Sequence, residues 1–500
     1  MKYKKSNWVL VFISAVFFTL SFIGIGLGFL SFIAFIPYLI FLDNSNTKNC
    51  FLPGALLGFI ISAASLYPII YVRIYAYIGL IIALSLYFGL LTWFFQTIHY
   101  KFKKIFYLLL PFLWVGFEYF MTLGQLNFPW FNLGNTLVNY HYLIQFADIL
   151  GVYGLSFLVL ATNILLYKIF SSSYKYIFTA ILIFLLWIGY GVYRDKTIDL
   201  RGENFRIGLI QLNIKQRDKW KPEMQEPTIK DYSKQIRKLT NKENLQLIIL
   251  PESAIPLHLL HNFSTKTRIS ELAKNNKINI ITGFPDYKVD LNSSRISHKF
   301  YNSATLIDKS GKYHKKYDKI RLVPFGERIP LLEKIPILKK LQFGQANFEY
   351  GDEFVLYEIN DYKFPVMICF EGVFPNLSRK YSLKGADALI VITNDAWFKN
   401  TIFPVEHANN TLLRAVETRL PLIRVANTGI SYFVSPVGEI LRELPLYVKG
   451  NLTFNLVKTA NEQKTFFAKY GYLFARLCFW LFLVTLVYSF VINLFLFRGR

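Results

Sequence analysis

Cysteine is scarce in this sequence, and long stretches of it carry no charge at all. Its 500 residues include three cysteines, Cys50, Cys369 and Cys478. Thiols so few and so far apart form neither a disulfide framework nor a metal-ligand spacing. Cys50, at the edge of one apolar run, and Cys478, inside another, read as small apolar residues. The sequence also lacks internal repeats and low-complexity tracts. Charge is missing altogether from Trp8 to Leu42, Phe51 to Val72, Ile74 to Ile98, Ile149 to Tyr167, Tyr176 to Tyr193 and Leu477 to Phe497, while Ile105 to Leu123 carries only Glu118. A composition of 53% hydrophobic and 18% aromatic residues exceeds what a soluble domain hides, so membrane spans are expected. A crossing needs about 20 apolar residues. The first run, 35 residues long, suits two short spans turning near Gly24, Gly26 and Gly28, which gives seven spans before residue 200 and an eighth near the C-terminus.

Met1-Lys-Tyr-Lys-Lys5 followed by an apolar run has the outline of a signal peptide, but no small-x-small cleavage site follows and the run continues too far, so a retained helix is expected. With the N-terminus inside, the inward loops receive Lys2, Lys4, Lys5, Lys48, Lys101, Lys103, Lys104, Lys168 and Lys175, and the short outward loops receive only Arg73. That is the bias expected of cytoplasmic loops. Seven spans leave residue 200 outside, and the last span returns Arg498 and Arg500 to the cytoplasm. A single helix in the first run would invert this parity. The net charge of +24 then points to anionic lipid headgroups, or to topology signalling with solvated lysines, and not to nucleic acid.

Between about Arg201 and Lys458 the sequence turns charged and rich in turns. Phe205 to Ile214, Leu245 to Leu250, Ile278 to Gly283, Val366 to Phe370, Ala388 to Thr393 and Leu422 to Ala426 read as strands. Helical patterns cover Met224 to Lys242, Lys266 to Asn275, Pro375 to Leu383 and Glu406 to Arg419. Hairpin signals at Asp308-Lys-Ser-Gly311 and Ser435-Pro-Val-Gly438 make the sheet mixed. The strand order does not follow from these patterns. The expected division is a seven-span membrane part over 1–199, an α/β domain over 200–458 and a closing helix over 470–500.

Three reactive groups sit just after strand-like runs: Glu252, Lys319 and Cys369. Ligands favour the carboxyl ends of strands in open α/β sheets, so these residues could converge. A thiol nucleophile needs a base to take its proton, and a lysine ammonium can steady the oxyanion of a tetrahedral intermediate. Spacing alone does not single these residues out, because a domain of this size holds many Glu and Lys and an apolar-flanked Cys is usually core. His407 could instead pair with Cys369, but the carboxylate already supplies a base, and His407 reads as structural.

Local words are more specific. Pro251-Glu-Ser-Ala-Ile-Pro256, Tyr317-Asp-Lys-Ile-Arg-Leu-Val-Pro-Phe-Gly-Glu327, Ile368-Cys-Phe-Glu371 and Thr393-Asn-Asp-Ala-Trp-Phe398 follow one another in this order. Together they resemble the nitrilase (carbon-nitrogen hydrolase) superfamily, and within it the apolipoprotein N-acyltransferase family, whose layout of seven spans, a periplasmic nitrilase-like domain and one closing span matches the whole chain. The resemblance implies about eight transmembrane helices plus an α-β-β-α sandwich. It implies Glu252 as general base, Lys319 as oxyanion-stabilising cation, Cys369 as the acylated nucleophile, and Glu327 and Glu371 as supporting acids, for which turn chemistry and surface salt bridges are the plainer alternatives. Trp397 resembles a substrate-contacting aromatic, with core packing as its alternative. Phe370 stands where the family often has Tyr, and Lys399 where it often has Gly. Within the spans, Glu118 follows Trp114 by one helical turn; an intramembrane carboxylate is a functional candidate, or it pairs with polar groups between helices. The loop Asn127-Phe-Pro-Trp-Phe-Asn-Leu-Gly-Asn135 resembles one near a lipid entrance, and Trp130 in it is equally an interfacial anchor.

The implied activity moves an acyl chain from a phospholipid, expected to be phosphatidylethanolamine, through a thioester on Cys369 to the α-amine of a diacylglyceryl-cysteine lipoprotein. It needs no metal or diffusible cofactor. The setting implied is a monomer in a bacterial inner membrane, its catalytic domain periplasmic. A membrane-bound carbon-nitrogen hydrolase using the same three residues, and a transporter or receptor with an inert Cys369, are the rival readings.

Overall fold

The computed structural model describes residues 5–23, 26–45, 50–290, 297–330, 347–459 and 464–498. Gly24, Lys2, Lys4, Lys48 and Arg500, used above for the turn and the charge bias, lie outside them. The chain divides into two compact units, one formed by Met1–Lys196 with Tyr470–Arg500 and the other by Thr197–Lys469.

The first unit is helical: α1 (Lys5–Phe22), α2 (Ile36–Asn44), α3 (Phe51–Ser65), α4 (Ile74–Lys101), α5 (Lys103–Phe120), a short α6 (His141–Ile144), α7 (Ala147–Ser171) and α8 (Tyr176–Thr197). The first apolar run does break in two. Gly26 takes φ +83°, a conformation that costs glycine little, and a 3-10 turn over Leu27–Phe32 leads into α2. The stretch expected to cross from Phe51 to Val72 is helical only to Ser65, after which Pro68 begins a 3-10 turn over Tyr67–Tyr71. Among the described residues five segments are long and apolar enough to cross a bilayer: Leu27–Asn44, Ile74–Lys101, Ala147–Ser171, Tyr176–Thr197 and Leu473–Val491. α1 and α3 are shorter apolar helices, and α5 carries Lys103, Lys104 and Glu118, so a count of eight crossings rests on these three as well. The chain is a membrane protein. Its polar side chains inside this unit are tied together: Asp43 accepts from Tyr107 Oη at 2.6 Å and from Tyr167 Oη and lies 2.7 Å from His99 Nε2, fastening α2 to α4, α5 and α7.

The second unit contains β1 (Leu200–Gln211), α9 (Gln216–Lys219), α10 (Pro222–Lys242), β2 (Leu247–Ile249), α11 (Phe263–Asn275), β3 (Asn279–Asp290), β4 (Ser297–Ile307), β5 (Tyr317–Asp318), β6 (Leu356–Ile359) and β7 (Tyr362–Ile368). Then come α12 (Pro375–Leu383), β8 (Leu389–Thr393), α13 (Phe403–Thr418), β9 (Leu422–Ala426), β10 (Ser431–Val434), β11 (Ile440–Leu444), β12 (Gly450–Thr459) and α14 (Phe466–Tyr470). The closing helix α15 (Leu473–Arg498) returns to the first unit.

Two six-stranded sheets form, ordered β12-β1-β2-β3-β4-β5 and β11-β10-β9-β8-β7-β6. Each is mixed, as the hairpin signals require: β1-β2-β3 and β7-β8-β9 are parallel and the outer pairs antiparallel. The inner faces bury one another through Ile207, Leu209, Ile249 and Ile281 from the first sheet and Val366, Ile368, Ile390, Ile392 and Val425 from the second. On the outer side of the first sheet Ile210, Ile248 and Ile280 meet Ile236 of α10 and Leu272 of α11. Both faces of the central strands are thus apolar, which is why they read as continuous runs and not as alternation. Filling such positions contributes roughly 1.5–3 kcal/mol per large side chain. α12 and α13 belong to the second sheet's half, giving the α-β-β-α sandwich. Two expectations need correction. The strand expected over Val366 to Phe370 stops at Ile368, because Cys369 takes φ +54° and opens a 3-10 turn. β3 runs on past Gly283 to Asp290, paired along its length with β4, a strand whose outer half is exposed and polar.

Candidate active site

Four chain segments bring the expected residues together. After β2 the chain turns at Pro251-Glu252-Ser253, with Ser253 at φ +48°. β3 passes close beneath: a Cβ at Gly283 would lie 2.9 Å from Glu252 Cα and 2.8 Å from Ser253 N. Only glycine lets the turn settle there. Lys319 follows β5, its N–H donating to Asn302 O of β4 at 2.9 Å. Its ammonium is buried and lies 2.9 and 2.8 Å from the two oxygens of Glu327 and 4.0 Å from Glu252 Oε1. Glu327 is held in place by Val323 N–H at 2.9 Å. Asn302 completes the group, its Nδ2 donating to Glu252 Oε1 at 2.7 Å and to Glu327 Oε1 at 3.0 Å.

Cys369 directly follows β7, at the carboxyl end of the second sheet, on the left-handed turn that ends the strand. Glu371 fixes this turn from below. Fully buried, it accepts Ile368 N–H at 2.7 Å, Ile320 N–H at 2.7 Å, Arg321 N–H at 3.0 Å and Tyr317 Oη at 2.7 and 2.8 Å. One carboxylate thus binds the Cys369 turn to the segment after Lys319. It is not a surface salt bridge.

The charges are arranged in opposition. Burial raises the Glu252 carboxyl above its ordinary value of 4.5 and Glu327 adds to this, while Lys319, Asn302 and Lys219 pull it back. Burial would lower the Lys319 ammonium, but Glu327, Cys369 and Glu252 hold it well above its ordinary range. Burial and the Glu252 charge push the Cys369 thiol up against the opposing pull of Lys319. Burial thus disfavours the charged forms of both the Cys369 thiol and the Glu252 carboxyl, while Lys319 is held as the cation between them. Such a set suits proton transfer on demand better than a standing thiolate.

A second array borders the thiol. Asp395, just after β8, accepts from Arg424 Nη2 at 2.7 Å and lies 2.9 Å from His407 Nδ1, with all three buried. Burial would raise Asp395, yet Arg424 and His407 hold it far below the carboxylate range. Cys369, Asp395 and His407 place ligand-type atoms within 4.8 Å of one another. The Arg424 guanidinium already lies among them, 3.1 Å from His407 Nδ1, so the array carries its own cation and does not fit a metal ion.

The remaining candidates lie as follows. Phe370 is buried edge-on against Phe374 at 5.0 Å, and Trp397 is half-buried on the 3-10 turn Asp395–Phe398. In the first unit, Glu118 Oε1 accepts from Trp114 Nε1 and Leu133 N–H, both at 2.8 Å, which ties α5 to the loop ending at Asn135. Trp130 is buried and stacks on Phe128 at 5.9 Å. Asn302, Lys219 and Arg424 were not singled out from the sequence; Asp395 stood inside a quoted word, whereas Asn302 lies in a strand that carried no signal.

A cysteine on a strand-end turn between two mixed sheets, facing a carboxylate and lysine from the opposite sheet, is the layout of a carbon-nitrogen hydrolase domain, and the model of that family, Carbon-nitrogen hydrolase, matches residues 206–460. The Apolipoprotein N-acyltransferase N-terminal domain matches residues 14–165. The chain is 33% identical to the apolipoprotein N-acyltransferase of Geobacter metallireducens over 95% of this chain and 93% of that one. It is 28% identical to apolipoprotein N-acyltransferase 1 of Treponema denticola over 99% and 98%, and 31% identical to the apolipoprotein N-acyltransferase of Rickettsia prowazekii over 74% of each. The chain belongs to the apolipoprotein N-acyltransferase family.

Proposed function

We propose that this chain N-acylates lipoproteins in two half-reactions on Cys369. Glu252 takes the thiol proton as sulfur attacks a phospholipid acyl ester, the ammonium of Lys319 steadies the oxyanion, and the lysophospholipid oxygen leaves with the proton from Glu252. The α-amine of a diacylglyceryl-cysteine then attacks the thioester, Glu252 carries its proton to the departing sulfur, and the amide product and free thiol remain. Glu327 orients Lys319, and Glu371 orients the nucleophile's turn. Trp397, Phe370, Trp130 and Glu118 belong to substrate binding in this reading.

The observation that carries it is the buried group of Glu252, Asn302, Glu327 and Lys319 facing a neutral thiol in a chain of this family. Eight crossings, with 1–199 and 470–500 in a bacterial inner membrane and 200–458 on the periplasmic side, put the thiol where phospholipid and lipoprotein meet. The donor is phosphatidylethanolamine, and the chain works as a monomer.

Incubating the full chain with phospholipid vesicles and then with a diacylated lipopeptide tests this. Mass spectrometry is expected to find an acyl mass on the Cys369 peptide, lost in Cys369→Ala, and an N-acylated lipopeptide after the second addition. Free fatty acid without N-acylation would favour the hydrolase reading. An unmodified, unreactive Cys369 would favour a binding protein.

A further inference from the structure

The site contains a second buried lysine that the mechanism above does not use. Lys219 ends α9, on the segment that joins β1 to α10, and is 1% exposed. Among the described residues its ammonium makes one hydrogen bond, Nζ donating to the main-chain oxygen of Glu252 at 2.9 Å. The other end of α9 reaches the opposite sheet, where Gln216 Oε1 accepts from Asn394 Nδ2 at 2.7 Å, beside Asp395. Burying an ammonium for one neutral acceptor is costly, and the cost makes sense only if the charge has work nearby.

We propose that Lys219 is a positioning residue of this site: its ammonium holds the strained Glu252 turn and supplies, with Lys319, the positive charge that keeps the Glu252 carboxylate ionised as the base for Cys369. This rests on the reading of Glu252 and Cys369 given above. Glu252 faces Lys319 after β5, Glu327 on the following loop, Cys369 after β7 and Lys219 on α9, while Glu252 is the titratable group acting on Lys219. Burial pushes the Lys219 ammonium down to about 8, with Glu252 resisting, so the charge persists through neutral pH.

The test is alkylation of Cys369 by iodoacetamide in the full chain, followed against pH by peptide mass spectrometry, which requires no acyl donor. The wild-type rate is expected to fall with acidity through a limb above 4.5, as Glu252 takes a proton. Lys219→Met and Lys219→Gln lose the charge, so their limb moves up by about one pH unit and alkylation on the acid side drops about tenfold, while the plateau above the limb is retained. Lys219→Arg keeps the charge and the wild-type limb. Thermal unfolding qualifies each variant, and the Gln variant, which keeps a donor to the Glu252 oxygen, decides if the Met variant does not fold. An unmoved limb in the Met and Gln variants, with a rate lowered equally at every pH, overturns the proposal. A moved limb together with no acyl adduct from phospholipid in the wild type would overturn the acyl-transfer reading and leave the role of Lys219 standing.

Discussion

Lys399 closes the turn that carries Asp395, with φ +51° and ψ −160°. This backbone region is close to glycine-only and costs a residue with a Cβ roughly 1–3 kcal/mol. Lys399 stands where the resembling family often has glycine, and these dihedral angles are ones that glycine adopts without strain. Lys399→Gly is expected to stabilise the chain by about 1 kcal/mol, net of glycine's greater unfolded-state freedom, and to raise the thermal midpoint by about 2 °C in detergent. The same contrast separates what could and could not be read at single residues. Glu252, Lys319 and Cys369 stand inside distinctive words, and the structure brings those words together at one site. Asn302 donates to Glu252 and Glu327, and Lys219 to the main chain of Glu252, across separations of 25 to 50 residues, and an Asn in a strand or a Lys in a charged loop looks like any other.

At the level of elements, β8, β9 and α13 meet at the pair Asp395 and Arg424, both fully buried. Breaking a buried pair leaves the survivor uncompensated, which costs about 3–5 kcal/mol. Asp395→Asn should therefore lower stability by about 3 kcal/mol or more at neutral pH, measured by thermal or denaturant unfolding. The sign with pH follows from the depressed carboxyl: its contribution is complete above the ordinary value of 3.8 and is lost as pH falls through its lower folded value, so wild type and variant differ fully at pH 6–8. Elements with a single strong signal were read well. The strand over Leu422–Ala426 and the helix over Pro375–Leu383 have the bounds expected. β4, β6, β11 and β12 were not, because partly exposed antiparallel strands mix polar and apolar residues and their pairing is decided by distant partners.

For the whole molecule, the distribution of lysines is the part of the architecture that reads most directly and can be checked most directly. In a Cys369→Ala background, with Cys50 and Cys478 buried, Arg73→Cys in intact cells freed of their outer wall should react with a membrane-impermeant maleimide, whereas Lys175→Cys should react only after permeabilisation. The reverse pattern would invert the orientation, and equal labelling of the two would overturn it. The pairing of two sheets into one sandwich was foreseen only through the family, since no periodicity reveals which strands face each other.

Because the acid and ammonium ride on one plate of the sandwich and the sulfur on the other, the gap between plates is itself a chemical dimension. Its filling includes Ile392, whose Cδ1 would stand 3.0 Å from a Cβ at Gly283 under the Glu252 turn. If the proposed reaction holds, trimming Ile392 by a methyl is expected to slow acyl transfer before it lowers the thermal midpoint, since the spacer sets how the Glu252 turn meets the sheet that carries Cys369.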